Sequence, residues 1–187
     1  KRPGPKVIVF GDSLVSGYEL PEGSGFVPKL QKLCDDRKLE ANLMTSGVPG
    51  DTTTSALERI DNVLNAEPKG VLIVLGANDM FGGVDPILIK ENLSKIIDKF
   101  QERKIKVLLA GMRAPDNFGS KYQTDFDGVY TDLVREKSVA FFPFFLDGVA
   151  GDPAMNLPDA RHPNQKGIEH IVENIFQTFK DFVSTLK

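Results

Sequence analysis

The sequence has 187 residues, 41% of them apolar and 26% charged, which fits a single domain over 1–187 with enough chain to bury a proper core. Its net charge of -3 gives no electrostatic footprint for nucleic acid or an anionic membrane, and its longest apolar run, Val71 to Leu75, falls far short of the roughly 18 residues of a membrane span. The lone cysteine, Cys34, excludes an internal disulfide, and with only two histidines and no H-E-x-x-H a metal site is not expected.

Lys6-Val-Ile-Val-Phe10 is a β-branched apolar run that breaks at Gly11-Asp12-Ser13, so it reads as a buried first strand ending in a turn. A weaker helix comes next over Phe26 to Arg37, with Cys34 as core filler. Ala41 to Thr45 is a second strand, with Gly47, Pro49 and Gly50 after it. Leu57, Ile60, Val63 and Leu64 share one helical face, after Asp51 and a run of threonines suited to capping it. Val71 to Leu75 is a third strand, closed by Gly76. Ile89, Leu93, Ile96, Ile97 and Phe100 form the next helical stripe. Lys106 to Ala110 is a fourth strand, closed by Gly111, and Tyr122 to Glu136 a further helix. Val139 to Phe145 is a fifth strand whose Pro143 predicts an irregular end. The strongest stripe, Ile168 through Val183, closes the chain. Between these last two, Asp147 to Pro163 has no periodicity, and unstructured loops of that length are often functional. The alternation of strands and helices predicts an α/β fold with a parallel sheet wound on both faces.

Sites in such sheets form beyond the carboxyl ends of the strands. Strand one delivers Ser13 there, strand two Gly50, strand three Asn78 and Asp79, strand four Arg113, Asp116 and Asn117, and the long last segment Asp159 and His162. A serine after a first strand suits either a nucleophile or a phosphate-binding turn. As a nucleophile it needs a base, and histidine is the usual one. His170 lies off the apolar stripe of the last helix and reads as solvated surface, which leaves His162. Asp159, three residues earlier, is placed to orient the imidazole, although D-x-x-H alone also arises as a capping pair. The Ser13 and Gly50 amides and the Asn78 side chain are candidate oxyanion donors; Gly50 and Asn78 also suit ordinary turns. Asp12, Asp51 and Asp79 read as hydrogen-bonding groups that hold the rim.

Four blocks, Gly11-Asp12-Ser13-Leu14, Gly50-Asp51-Thr52, Gly76-Ala77-Asn78-Asp79 and Asp159-Ala160-Arg161-His162-Pro163, stand in the order found in the SGNH (GDSL) hydrolases. The chain resembles that family, and most of all its bacterial arylesterase, thioesterase and lysophospholipase branch. The likeness includes Arg113-Ala-Pro-Asp-Asn-Phe-Gly119 and Pro143-Phe-Phe145. The resemblance implies a three-layer α/β/α flavodoxin-like fold with five parallel strands in the order 2-1-3-4-5. It implies Ser13, His162 and Asp159 as a catalytic triad, with Ser13, Gly50 and Asn78 as the oxyanion hole. It also favours a periplasmic or secreted enzyme if Lys1 follows a removed signal peptide, and otherwise a cytoplasmic one. Relatives often carry Gly-Ile or similar residues between the Asp and the His, where this chain has Ala160 and Arg161. Arg161 is then either a cation beside the base or a solvated side chain.

Val15 occupies the second glycine position of G-x-S-x-G, so Ser13 is not on an α/β-hydrolase elbow, and no Walker motif is present. The expected activity is hydrolysis of a small-molecule carboxylic ester or thioester without metal or cofactor. Phe81, Gly82, Arg113, Phe118, Tyr122 and Arg161 are the candidate substrate contacts, with Gly82 and Gly83 giving the segment after strand three its freedom. The alternatives are a carbohydrate acetylesterase, which the lack of Trp and the presence of only three Tyr argue against, and a non-catalytic flavodoxin-like binding module.

Overall fold

The structure, a computed structural model, describes residues 2–186. The five apolar runs form β1 (Lys6–Gly11), β2 (Asn42–Gly47), β3 (Gly70–Val74), β4 (Lys106–Ala110) and β5 (Ala140–Phe142). They pair in parallel as one sheet of order β2-β1-β3-β4-β5. Burial explains the order. Every residue of β3 is buried, as expected of a central strand covered by helices on both faces, whereas β2 at the edge leaves Met44 and Thr45 exposed. Each fully buried Val, Leu or Ile of this core is worth about 1.5–3 kcal/mol.

The long helices lie on the apolar stripes: α2 (Phe26–Asp36), α6 (Pro86–Glu102), α7 (Ser120–Lys137) and α8 (Gln165–Val183). In α8, Ile168, Ile171, Val172, Ile175, Phe176, Phe179 and Val183 are all buried. α2 packs with α8, and α6 with α7. Side chains cap the starts: Asp85 accepts from Ile87 N at the head of α6, where Pro86 sits at the first turn, and Asn164 accepts from Gly167 N at the head of α8. Cys34 is fully buried, and burial pushes its thiol up to about 11.

Several local features differ from the periodicity reading. The stripe from Leu57 to Leu64 is two short helices, α3 (Thr53–Glu58) and α4 (Ile60–Asn65), broken at Arg59; Thr52 caps the first through a capping box with Ser55. Ser13 and Asn78 lie not in plain turns but in the first turns of short helices, α1 (Ser13–Ser16) and α5 (Ala77–Phe81). β5 has three residues rather than seven, because the chain turns at Pro143, whose carbonyl crowds Gly111. The segment 147–163 has turns, a 3-10 turn at Pro153–Met155 and one bridge between Asn156 and Pro163, which closes the loop from 156 to 163.

The sheet order places β2 and β3 on opposite sides of β1, so the chain reverses direction of travel at the carboxyl end of β1. Crevices of doubly wound sheets open at this switch point. Ser13 follows β1 there.

Candidate active site

β1 ends at Gly11, and α1 starts at once with Asp12 as its N-cap, accepting from Leu14 N at 2.9 Å. This turn holds Ser13 at the rim. The tied loop from 156 to 163 brings His162 across from 149 positions away, and Ser13 Oγ lies 2.8 Å from His162 Nε2. The other ring nitrogen, Nδ1, donates to Asp159 Oδ2. Asp159 Oδ1 accepts the backbone N–H groups of Arg161 at 2.9 Å and His162 at 3.0 Å, so the carboxylate fixes both the ring and its own loop. Ala160 takes a positive φ of 62° to let the loop close this tightly. Desolvation pushes the Asp159 carboxyl up, but the bonds from the His162 ring and the two amides outweigh it and hold it at about 2. Asp159 is therefore an anion at any working pH, with Nδ1 occupied as donor and Nε2 left as acceptor for the serine proton.

Gly50 has φ 85°, a left-handed conformation that favours glycine, and a Cβ there would point into open space. The Asn78 amide donates to Asp51 O at 2.9 Å and lies 3.5 Å from Asp12 Oδ2, so it spans the gap between the Gly50 loop and the Ser13 turn. Asn78 is held by an unusual support. Gly76 has φ 117°, and a Cβ on it would collide with the hydroxyl of Tyr130, which donates to Leu75 O at 2.7 Å. The three rim aspartates are all buried. Asp79 accepts from Thr53 N and Oγ1, and Asp51 pairs with Arg59.

Asp12 is the least compensated of them. Burial raises its carboxyl to about 7 against the opposing bond from Leu14 N. A carboxyl raised above its unfolded value binds a proton more readily in the folded state, so its ionisation lowers stability as pH rises from about 4 through 7. The wild-type chain is expected to lose on the order of a few kcal/mol across this window relative to Asp12→Asn, which carries no titrating proton. Urea unfolding of both proteins at pH 4, 5.5 and 7 measures it. Parallel stability curves would show that Asp12 does not titrate there.

The substrate-contact candidates divide. Phe81, Phe118 and Tyr122 form a run of rings, with centroids 6.2 and 5.8 Å apart, that continues through Phe126 to Tyr130 in the core. Tyr122 Oη donates to Val84 O at 2.7 Å, fixing the segment after α5. Arg161 is exposed, and its guanidinium sits 4.1 Å over the Phe81 ring. Gly82 ends α5 with an ordinary helical φ of -82°, and Gly83 takes the positive φ instead. Arg113 lies over Phe144 at 5.0 Å, apart from the ring cluster contacts. His170 is exposed on α8. Two further residues escaped the sequence reading. Tyr18 packs its ring 4.8 Å from that of His162, and Arg59 bonds beneath the Gly50 loop. Tyr18 stands five residues after Ser13, and no spacing rule would have singled it out.

A serine hydroxyl, an imidazole and a carboxylate joined by hydrogen bonds at the switch point of a flavodoxin-like sheet match the pattern of a serine hydrolase. The GDSL-like lipase/acylhydrolase family matches residues 9–169, and the chain belongs to that family. It is similar to the esterase TesA of Pseudomonas aeruginosa, with 33% identity over 93% of this chain and 87% of that protein. The crystal structure of a psychrotrophic esterase, EstA from a Pseudoalteromonas species, inhibited by monoethylphosphonate, superposes with a TM-score of 0.91 at 28% identity, covering 96% of this chain and 99% of that one. The SGNH-hydrolase family esterase AlinE4 superposes with a TM-score of 0.81 at 37% identity, covering 96% of each chain. The protein is accordingly a carboxylic ester hydrolase acting on small-molecule esters. No helix among the described residues is long and apolar enough to cross a membrane.

Proposed function

We propose that Ser13 is the nucleophile, His162 its general base and Asp159 the orienting acid, and that the substrates are aryl and short-to-medium acyl esters, with some thioesters. The single observation that carries the reading is the continuous relay Ser13 Oγ to His162 Nε2, and Nδ1 to Asp159. Ser13 Oγ attacks the ester carbonyl as its proton passes to Nε2. The developing oxyanion is held by the Ser13 and Gly50 amides and by Asn78. The imidazolium, steadied by Asp159, protonates the leaving alcohol or thiol. Water then attacks the acyl-enzyme with His162 again as base, which restores Ser13. No metal or cofactor takes part in this scheme. Similarity to an esterase inhibited by a phosphonate, a trap for activated serines, supports it.

The rim sets the substrate range. Two surface grooves, of about 860 and 920 Å³, include neither Ser13 nor His162 in their walls. Tyr18 packs against His162, Phe81 lies under the neighbouring Arg161, and both rings are exposed. A rim with these exposed rings would accept varied small acyl and aryl groups. The proposal extends to an enzyme of the periplasm or cell exterior, as the family resemblance implies; cell fractionation decides it.

A fluorophosphonate probe is expected to modify Ser13 stoichiometrically and to leave Ser13→Ala unlabelled. Peptide mapping that placed the adduct on another serine, such as Ser16, would remove the triad as drawn. On p-nitrophenyl esters, rates are expected to peak at short to medium chains and to show no jump as substrate passes its solubility limit. Confinement to acetylated sugars would instead select the carbohydrate acetylesterase.

A further inference from the structure

Arg59 departs most from its local sequence context. Leu57, Ile60, Val63 and Leu64 predict one continuous helix, yet the helix ends at Arg59 and restarts beyond it, with Arg59 at φ -106° and ψ 12°. Such breaks mark places where another demand outweighs local propensity. Here the demand comes from the side chain, which turns inward and is only 18% exposed. Its guanidinium makes four hydrogen bonds. Nε donates to Asp51 Oδ2 at 2.5 Å, Nη1 to Ser46 Oγ at 2.7 Å, and Nη2 to the carbonyls of Gly11 at 2.9 Å and Ser46 at 3.2 Å. The cation also lies 4.6 Å over the Phe10 ring.

These partners belong to the segments that carry the reacting groups. Gly11 ends β1, two residues before Ser13; Ser46 is near the end of β2, just before the Gly50 loop; Asp51 comes directly after Gly50. The loop is tied to β1 a second time by Val48 N, which donates to Gly11 O at 3.2 Å, and to α5 by Asn78, which donates to Asp51 O. Gly50 itself is exposed, and no atom beyond its chain neighbours lies within 4 Å of where a Cβ would stand. Its orientation is therefore set from below, and Arg59 is the one side chain among the described residues that binds β1, β2 and the Gly50 loop together.

We propose that Arg59 is a positioning residue for ester hydrolysis, which fixes the Gly50 N–H relative to Ser13 and so pre-sets the oxyanion hole. The inference rests on the oxyanion roles proposed above for Gly50 and Asn78. Arg59 touches neither Ser13 nor the space above it and acts through the backbone. Preorganised donors stabilise an oxyanion because they need no rearrangement as charge develops. A planar fork can bond a carboxylate, a hydroxyl and two carbonyls in one plane, and the compact ammonium of lysine cannot.

The test uses three variants of the full chain. Arg59→Lys keeps the charge pair and loses the fork. Arg59→Met/Asp51→Asn removes both buried charges, so neither is left unpaired. Ser46→Ala removes one anchor. Active sites are counted by end-point fluorophosphonate titration, so that turnover refers to folded, competent enzyme. For the first two, kcat is expected to fall about 10–100-fold, the size of effect that a small misplacement of catalytic groups produces. KM should stay within about twofold, because the donors bind the transition state more than the substrate. The rate of phosphonylation should fall in step. The losses should also be far from additive with Asn78→Ala, since both act on one oxyanion hole. Titrated Arg59→Met/Asp51→Asn with wild-type kcat, a loss confined to KM, or full additivity with Asn78→Ala would each overturn the proposal. If that double variant does not fold, Ser46→Ala decides: a fall in kcat of about threefold at unchanged KM supports it, and unchanged kcat overturns it. Asn78→Ala as a single variant separates the two levels. If it turns over normally, the oxyanion reading itself has failed; if it is impaired while the Arg59 variants are not, only the role of Arg59 has.

Discussion

His162→Ala is expected to reduce kcat by on the order of 10⁶, as much as Ser13→Ala, because members of a triad act as a unit. His162 Nε2 is the acceptor at 2.8 Å from Ser13 Oγ, and nothing else among the described residues bonds the Ser13 hydroxyl and can take its proton. Asp159→Asn should be milder, about 10⁴, since it leaves a base in place with its tautomer and orientation spoiled. Asp159, held at about 2, stays ionised well below neutrality, so it is present as the orienting anion throughout the working pH range. His170→Ala, on the exposed side of α8, should be neutral. Steady-state kinetics of the four variants on p-nitrophenyl butyrate checks the set. Equal losses for the two histidine variants would mean that the wrong imidazole has been placed in the site.

Asn78→Ala is expected to lower kcat by about 10²–10³, roughly 2.7–4 kcal/mol, with little change in KM. The residue has two duties. Its amide donates to Asp51 O at 2.9 Å, which steadies the Gly50 loop, and more weakly to Asp12 Oδ2 at 3.5 Å, the long bond that the oxyanion would replace in the proposed scheme. Alanine removes both. Asn78→Asp keeps the shape but loses the donor, and adds a carboxylate near Asp12 and Asp51, so it should be at least as impaired. A normal kcat with a raised KM would show instead that Asn78 holds ground-state substrate.

Much of this protein was legible in the chain. Five apolar runs separated by amphipathic stripes gave the sheet, because side-chain burial imposes a short period that any window of a dozen residues displays. The candidate site could be drawn from the chain for a different reason. Parallel sheets gather their functional groups at one edge, so the residues just beyond β1, β2 and β3 already offered Ser13, Gly50 and Asn78 as candidates, and the long segment after β5 offered Asp159 and His162, without knowledge of any contact. Scarcity did the rest, since a chain with two histidines offers few bases.

The features that the chain did not display depend on contacts between distant segments. The break at Arg59 contradicts the local helical pattern and is caused by bonds to Gly11, Ser46 and Asp51, which lie 48, 13 and 8 positions away. Tyr18 meets His162, and Arg161 meets Phe81, only when the 147–163 loop folds back over the rim. Arg113, read as a substrate contact from its position after β4, is drawn to Phe144 because the chain turns early at Pro143 and brings that ring beneath it. Periodicity is a property of neighbours along the chain, and it determined the layers and the edge at which the chemistry gathers. The aim of each side chain at that edge was decided by partners that only the folded chain supplies, because a hydrogen bond or a ring contact acts over a few ångströms of space and carries no trace in sequence separation.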